Sequence, residues 1–306
     1  MNVREWALPV YTILMQTATG SLSFLWLIRL QQSRHQGSDE ASRLLDIPLT
    51  VILTTIIFAM IGSHFHLSRP FLSLLAVTNL RSSWLSREIL FTILLFLLTL
   101  SIWVLHRVRP SSHRVIDILG WLGITSGWIM IYCMARIYLL PTQVAWNSPA
   151  TILYYITTTL LLGSSALLAI LWMDQHFVEV RDPDSSGLIL TRHPQILARM
   201  GGVVLFAAVL EIALEFFRIS WLHSGNVVAR TSLDLLFGLY QPLLLMRIGL
   251  VLIGSIWLTY NIFQVVRDGT RYRIVLLPIY SSFLLLMIGE ILGRFLFYAT
   301  HVRIGL

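Results

Sequence analysis

Lysine is absent from this chain of 306 residues, and all 22 of its positive charges are arginines. Charged residues of both signs make up only 12% of the sequence, against 56% hydrophobic residues and a mean hydropathy of +0.76. A charged share so far below the roughly 25% of soluble domains excludes that class. The single cysteine, Cys133, lies inside an apolar run. It leaves no intrachain disulfide and no iron–sulfur cluster or zinc site held by cysteines of this protein. The nine histidines, at positions 35, 64, 66, 106, 113, 176, 193, 223 and 301, all fall in loops or at the ends of apolar runs. A b-type haem needs axial ligands within a helix bundle, so no haem is expected here. The period-2 alternation of a membrane β-barrel is missing, as are an internal repeat, a low-complexity linker and a separate soluble domain. The arginines behind the net charge of +7 are scattered over loop after loop, so no nucleic-acid partner is expected.

What the sequence has is apolar runs of about 20 residues, long enough as helices to cross a hydrocarbon core of roughly 30 Å. Eight are read, at roughly 8–28, 47–65, 88–105, 116–138, 150–172, 197–217, 243–264 and 274–299. The expectation is an all-α integral membrane protein, a single eight-helix domain over residues 1–306. The first run follows a weak n-region with Arg4 and Glu5 and precedes no small-residue cleavage site, so it reads as a span rather than a cleaved signal. With eight spans both termini share one side. Outside the runs that side carries Arg4, Arg69, Arg81, Arg87, Arg218, Arg230 and Arg303. The other side carries Arg29, Arg34, Arg43, Arg107, Arg109, Arg114, Arg181, Arg192, Arg199, Arg267, Arg271 and Arg273. The positive-inside rule puts the richer side in the cytoplasm and both termini in the periplasm of a bacterial inner membrane.

Ionisable residues inside spans cost about 2.5 to 3.5 kcal/mol each on insertion scales, so each calls for a partner or a function. Arg136, Glu211, Glu215, Arg247, Glu290 and Arg294 all fall toward the terminal side of their runs, with His64, His66 and Glu88 at run ends on that side, and only Asp117 near the other. Glu290, Arg294, Tyr298 and His301 follow at spacings of four, four and three, one face of a helix, and Glu290 and Arg294 could neutralise each other there. Glu211, Glu215 and Arg218 repeat the pattern two runs earlier. Arg136 has no acid within a turn, and Glu88 is the partner expected for it. His66 ends the second run, Pro70 stops it, "FLSLLAV" is too short to cross and is expected to lie at the interface, and Glu88 opens the third run. Histidine and glutamate that accept protons, apolar walls, and arginine or tyrosine donors for a carbonyl oxygen suit a quinone head group. The protein offers proton acceptors but no redox centre, so the electrons must leave through a partner.

Several stretches, in order, resemble the DmsC-type membrane anchor of dimethyl-sulfoxide reductase complexes over essentially the whole length. They are Glu5-Trp6 with Gln16, "HLSRP" from His66, "LSREI" around Glu88, "ARIY" at Arg136 with Trp146, "RIGLVL" at Arg247 and "GEILGRFLFYATH" to His301. The sequence departs from the family in His-Leu-Ser where His-Leu-Gly is usual, and in a longer loop from Met173. The resemblance implies a subunit that oxidises menaquinol to menaquinone and passes electrons to a four-cluster ferredoxin-like iron–sulfur subunit, which feeds a molybdopterin catalytic subunit. It also implies roles for His66 and Glu88 in quinol binding and proton uptake; Arg136, Arg247, Glu290, Arg294 and Tyr298 are read from the sequence as the polar wall of that site. Other readings are an anchor of the NrfD or polysulfide-reductase type, a purely structural anchor, and a secondary transporter, for which broken spans and a two-fold repeat would speak.

Overall fold

The computed structural model describes residues 3–64, 77–181, 194–268 and 272–302, and over these the chain is helical, with no strand. The helices are α1 (Val3–Gln36), α2 (Ser38–Arg43), α3 (Asp46–His64), α4 (Trp84–Val108), α5 (His113–Ile137), α6 (Pro149–Arg181), α7 (Pro194–Ser224), α8 (Val227–Phe237), α9 (Gln241–Asp268) and α10 (Tyr272–Ala299). Eight are long and apolar enough to cross a membrane, in the order read from the sequence. His66, Pro70 and the start of "FLSLLAV" lie outside the described residues.

The spanning helices are apolar almost all round, so a hydrophobic stripe does not fix their rotation; small and polar residues do. α1 and α6 are innermost. Their most apolar windows are 72% and 78% buried, against 28–56% for the other six spans. α3 and α5 pack on α1, with α4 against both; α7 and α10 pack on α6, with α9 against both. Two groups of four helices therefore meet along the α1–α6 seam. There Gly20 and Gly163 let the backbones touch, and a Cβ on either would overlap main-chain atoms of the other helix. Ser21 Oγ donates to the Gly163 carbonyl at 3.1 Å and Gln16 Nε2 to the Tyr155 carbonyl at 2.8 Å. With no hydrophobic force between helices in lipid, close backbone approach and such hydrogen bonds are what hold a seam.

The observed helix bounds correct three sequence readings. α1 continues to Gln36, so Arg29 lies inside the bundle rather than in a loop. It is 1% exposed, with Nε donating to Asp117 at 2.7 Å and Nη1 to the Ala41 carbonyl at 3.0 Å. α4 starts at Trp84, so Glu88 stands one turn inside it rather than at its first residue. α10 stops at Ala299, leaving His301 beyond its end.

Candidate functional site

Ser83 caps α4, its Oγ accepting the Ser86 N–H at 3.2 Å. Glu88 then points inward, 6% exposed, within reach of the Tyr11 hydroxyl of α1. Tyr11 also shares a hydrogen bond of 2.9 Å with Thr92 Oγ1. The partner expected for Glu88, Arg136, is differently engaged. Its guanidinium lies 4.8 Å over the Trp84 ring, and its buried Nε has no hydrogen-bond partner among the described residues. An arginine in the last turn of α5 meets the first residue of α4 rather than the fifth, because the two antiparallel helices put their ends side by side.

In the second group of helices the charges converge across three elements. From α9, Arg247 donates to Glu215 Oε2 at 2.5 Å and to Glu211 Oε2 at 3.3 Å, and faces Glu290 Oε1 at 3.7 Å. Arg218 donates to Glu215 Oε1 at 2.6 Å, the within-helix pair the spacing suggested. Tyr154 donates its hydroxyl to Glu215 Oε2 at 2.6 Å. Thr158 Oγ1 stands 2.9 Å from Glu211 Oε1 and 2.6 Å from Glu290 Oε2. Instead of turning to each other on α10, Glu290 reaches Thr158 and Arg294 reaches Gln16 Oε1 of α1, at 2.7 Å. The Arg294 guanidinium lies 4.0 Å from the Tyr155 ring centroid. The α1–α6 seam positions both of its partners, because Gln16 is fixed by its bond to Tyr155.

Aromatic rings join the two halves. The Tyr298 and Tyr138 hydroxyls are 2.6 Å apart. Trp146 Nε1 donates to the Phe297 carbonyl at 2.6 Å, and His301 stacks on the Trp146 ring with centroids 4.6 Å apart. The Tyr138 and Tyr155 rings stack with centroids 6.1 Å apart, so Tyr138, Tyr155, Tyr298 and Arg294 form one continuous polar patch, with Glu88 at the same end of the bundle. The patch lies toward the end of the bundle that carries the start of α1 and the end of α10. His64, at that end on α3, is exposed and bound locally, with Nδ1 2.7 Å from the Met60 carbonyl. The cavity among Tyr155, Glu215, Arg247, Glu290 and Arg294 is about 20 Å³, room for one water. No cluster of metal ligands occurs among the described residues.

Sequence reasoning singled out Arg247, Glu290 and Arg294, which line one cavity, and Tyr298, which lies beside Tyr138 in the adjoining aromatic cluster. It missed Tyr11, Tyr138, Tyr154, Tyr155 and Thr158. The run of polar residues in "LYYITTT" inside the fifth span was the available signal.

Comparison with known proteins adds the family context. The family model of the DMSO reductase anchor subunit (DmsC) matches residues 1–300. The C subunit of the anaerobic dimethyl sulfoxide reductase of Haemophilus influenzae is 25% identical over 313 residues, which cover 100% of this protein and 99% of the relative. The C subunit of the Escherichia coli enzyme is 25% identical, with 99% and 96% covered. The YnfH subunit of an Escherichia coli anaerobic dimethyl sulfoxide reductase is 24% identical, also with 99% and 96% covered.

Proposed function

The chain belongs to the DMSO reductase anchor subunit family, and from that premise we propose that it oxidises menaquinol at its terminal, periplasmic end in a bacterial inner membrane. Quinol gives up two protons and two electrons. The electrons pass to a ferredoxin-like iron–sulfur subunit docked over the loop at 138–148 and α8, and from there to a molybdopterin subunit. The protons leave through His66 and Glu88. The observation that carries this reading is Glu88: a carboxyl buried near the mouth of a span and met by the Tyr11 hydroxyl of α1. A group so placed takes a proton from a phenolic oxygen and is still only four residues from the end of its helix. Arg136 and Tyr298 are donors for the ring oxygens, and Arg247, Glu290 and Arg294 back them.

The test is turnover in assembled complexes with a quinol analogue, against an artificial donor that reduces the iron–sulfur subunit directly. His66→Ala and Glu88→Gln are expected to lower quinol turnover by about 10²-fold or more, the usual scale of general-base catalysis, and to keep the artificial-donor rate. His64→Ala is expected to behave as wild type. Loss of quinol turnover in His64→Ala with His66→Ala unaffected reverses the assignment.

A further inference from the structure

The contact between Thr158, Glu211 and Glu290 poses a problem of hydrogen count. The threonine hydroxyl carries one hydrogen, yet its oxygen stands within hydrogen-bond distance of a carboxylate oxygen on each side, Glu211 Oε1 at 2.9 Å and Glu290 Oε2 at 2.6 Å. With both glutamates ionised, one of these short contacts sets lone pair against lone pair. A second observation points the same way. Glu290 is 3% exposed and its Oε1 has no hydrogen-bond partner among the described residues, the Arg247 guanidinium being 3.7 Å off. An ionised carboxylate oxygen left so is costly in a span, whereas the carbonyl oxygen of a neutral acid tolerates it better.

We infer that Glu211 and Glu290 hold one proton between them, resident on Glu290 and bridged by Thr158. Glu290 Oε2–H donates to Thr158 Oγ1, and Thr158 Oγ1–H donates to Glu211 Oε1, so each hydrogen has one acceptor. Glu211 remains ionised because its other oxygen receives Arg247. The groups in direct contact then balance. Arg218 and Arg247 bring two positive charges and Glu211 and Glu215 two negative ones, with Glu290 neutral. The remaining polar groups facing the pair are Tyr154 and Tyr155 of α6, Tyr154 being hydrogen-bonded to Glu215. The Arg294 charge is one turn along α10, turned to Gln16 and the Tyr155 ring. A metal ion in place of the proton is disfavoured by Arg247, which would share both carboxylates with it. The result is a proton-binding site inside the second helix group, separate from Glu88; its hydrogen count stands whether or not the residues that back the quinol donors act as proposed.

Infrared spectroscopy of the purified complex tests it at neutral pH. A neutral carboxyl shows a C=O stretch above the carboxylate bands that moves down in D₂O. One such band is expected to vanish in Glu290→Gln and in Glu211→Gln, since in the latter Glu290 takes over as the partner of Arg247. Glu88→Gln, run alongside, is expected to leave that band in place. Thr158→Ser should keep its position, and Thr158→Ala should shift it upward as the bridge is lost, a reading that decides the matter even where a Gln variant fails to assemble. Overturning outcomes are no neutral-carboxyl band at all, or one that survives Glu290→Gln and Thr158→Ala unchanged.

Discussion

At the scale of single residues, Arg247 does the most to hold the second helix group together. It reaches from α9 to Glu211 and Glu215 on α7 and toward Glu290 on α10. Removing one member of a buried ion network strands the others in a medium that cannot solvate them, at roughly 3–5 kcal/mol. Arg247→Leu is therefore expected to lower the thermal unfolding midpoint of the detergent-solubilised protein far more than Glu290→Gln, whose amide can still donate to Thr158. Equal midpoints for the two variants would contradict the network as described. The sequence showed that these charges need partners, since each stands in an apolar run. It did not show which. Arg294 was paired in expectation with Glu290 on its own helix, yet its hydrogen bond goes to Gln16, 278 residues away. Spacing along one helix ranks only the neighbours on that helix.

At the scale of helices, the α1–α6 seam and the lipid-facing surfaces should answer differently to the same change. Gly163 abuts the main chain of Gly20, whereas a Cβ at Gly202 on α7 meets nothing within 4 Å. Gly163→Leu is expected to part the two helix groups and abolish folded protein on size-exclusion chromatography; Gly202→Leu should leave the elution profile unchanged. A normal profile for Gly163→Leu would mean that the backbones do not approach as closely as described. Helix number was legible in the sequence and helix length was not. Hydropathy marks where the bilayer core ends, but α1, α6 and α7 carry on into polar sequence that hydrogen-bonds its own backbone just as well. α8 went unread for the converse reason. An 11-residue helix in a connecting loop is too short to stand out by hydropathy, and its start depends on the Asn226 side chain accepting the Ala229 N–H at 3.0 Å.

At the scale of the whole molecule, the proposed orientation rests on arginine counts in the connections. Moving Arg29 into the bundle removes one arginine from the richer side, and Arg218, 6% exposed within the ion network, removes one from the other, so the bias keeps its sign. In a Cys133→Ser background, a cysteine at Ser111, exposed between α4 and α5, is expected to react with a membrane-impermeant thiol reagent only from the cytoplasmic face. A cysteine at Thr142, exposed at the opposite end, should react only from the periplasmic face. The reverse labelling pattern would put the proposed quinol site on the cytoplasmic side and overturn the docking surface proposed for the iron–sulfur subunit.

The class of the protein, its eight spans and the end of the bundle where its polar residues gather follow from sequence, because hydrocarbon penalises every unpaired charge and every open backbone group wherever the chain folds. Which side chains meet was decided only by tertiary structure. Hydrogen bonds and ion pairs act over a few ångströms, and whether Glu88 meets Arg136 or Tyr11 depends on the offset of α4 against α1 and α5. That offset is held by short contacts such as Tyr11 to Thr92 and Ser126 Oγ to the Phe91 carbonyl, which no hydropathy pattern records.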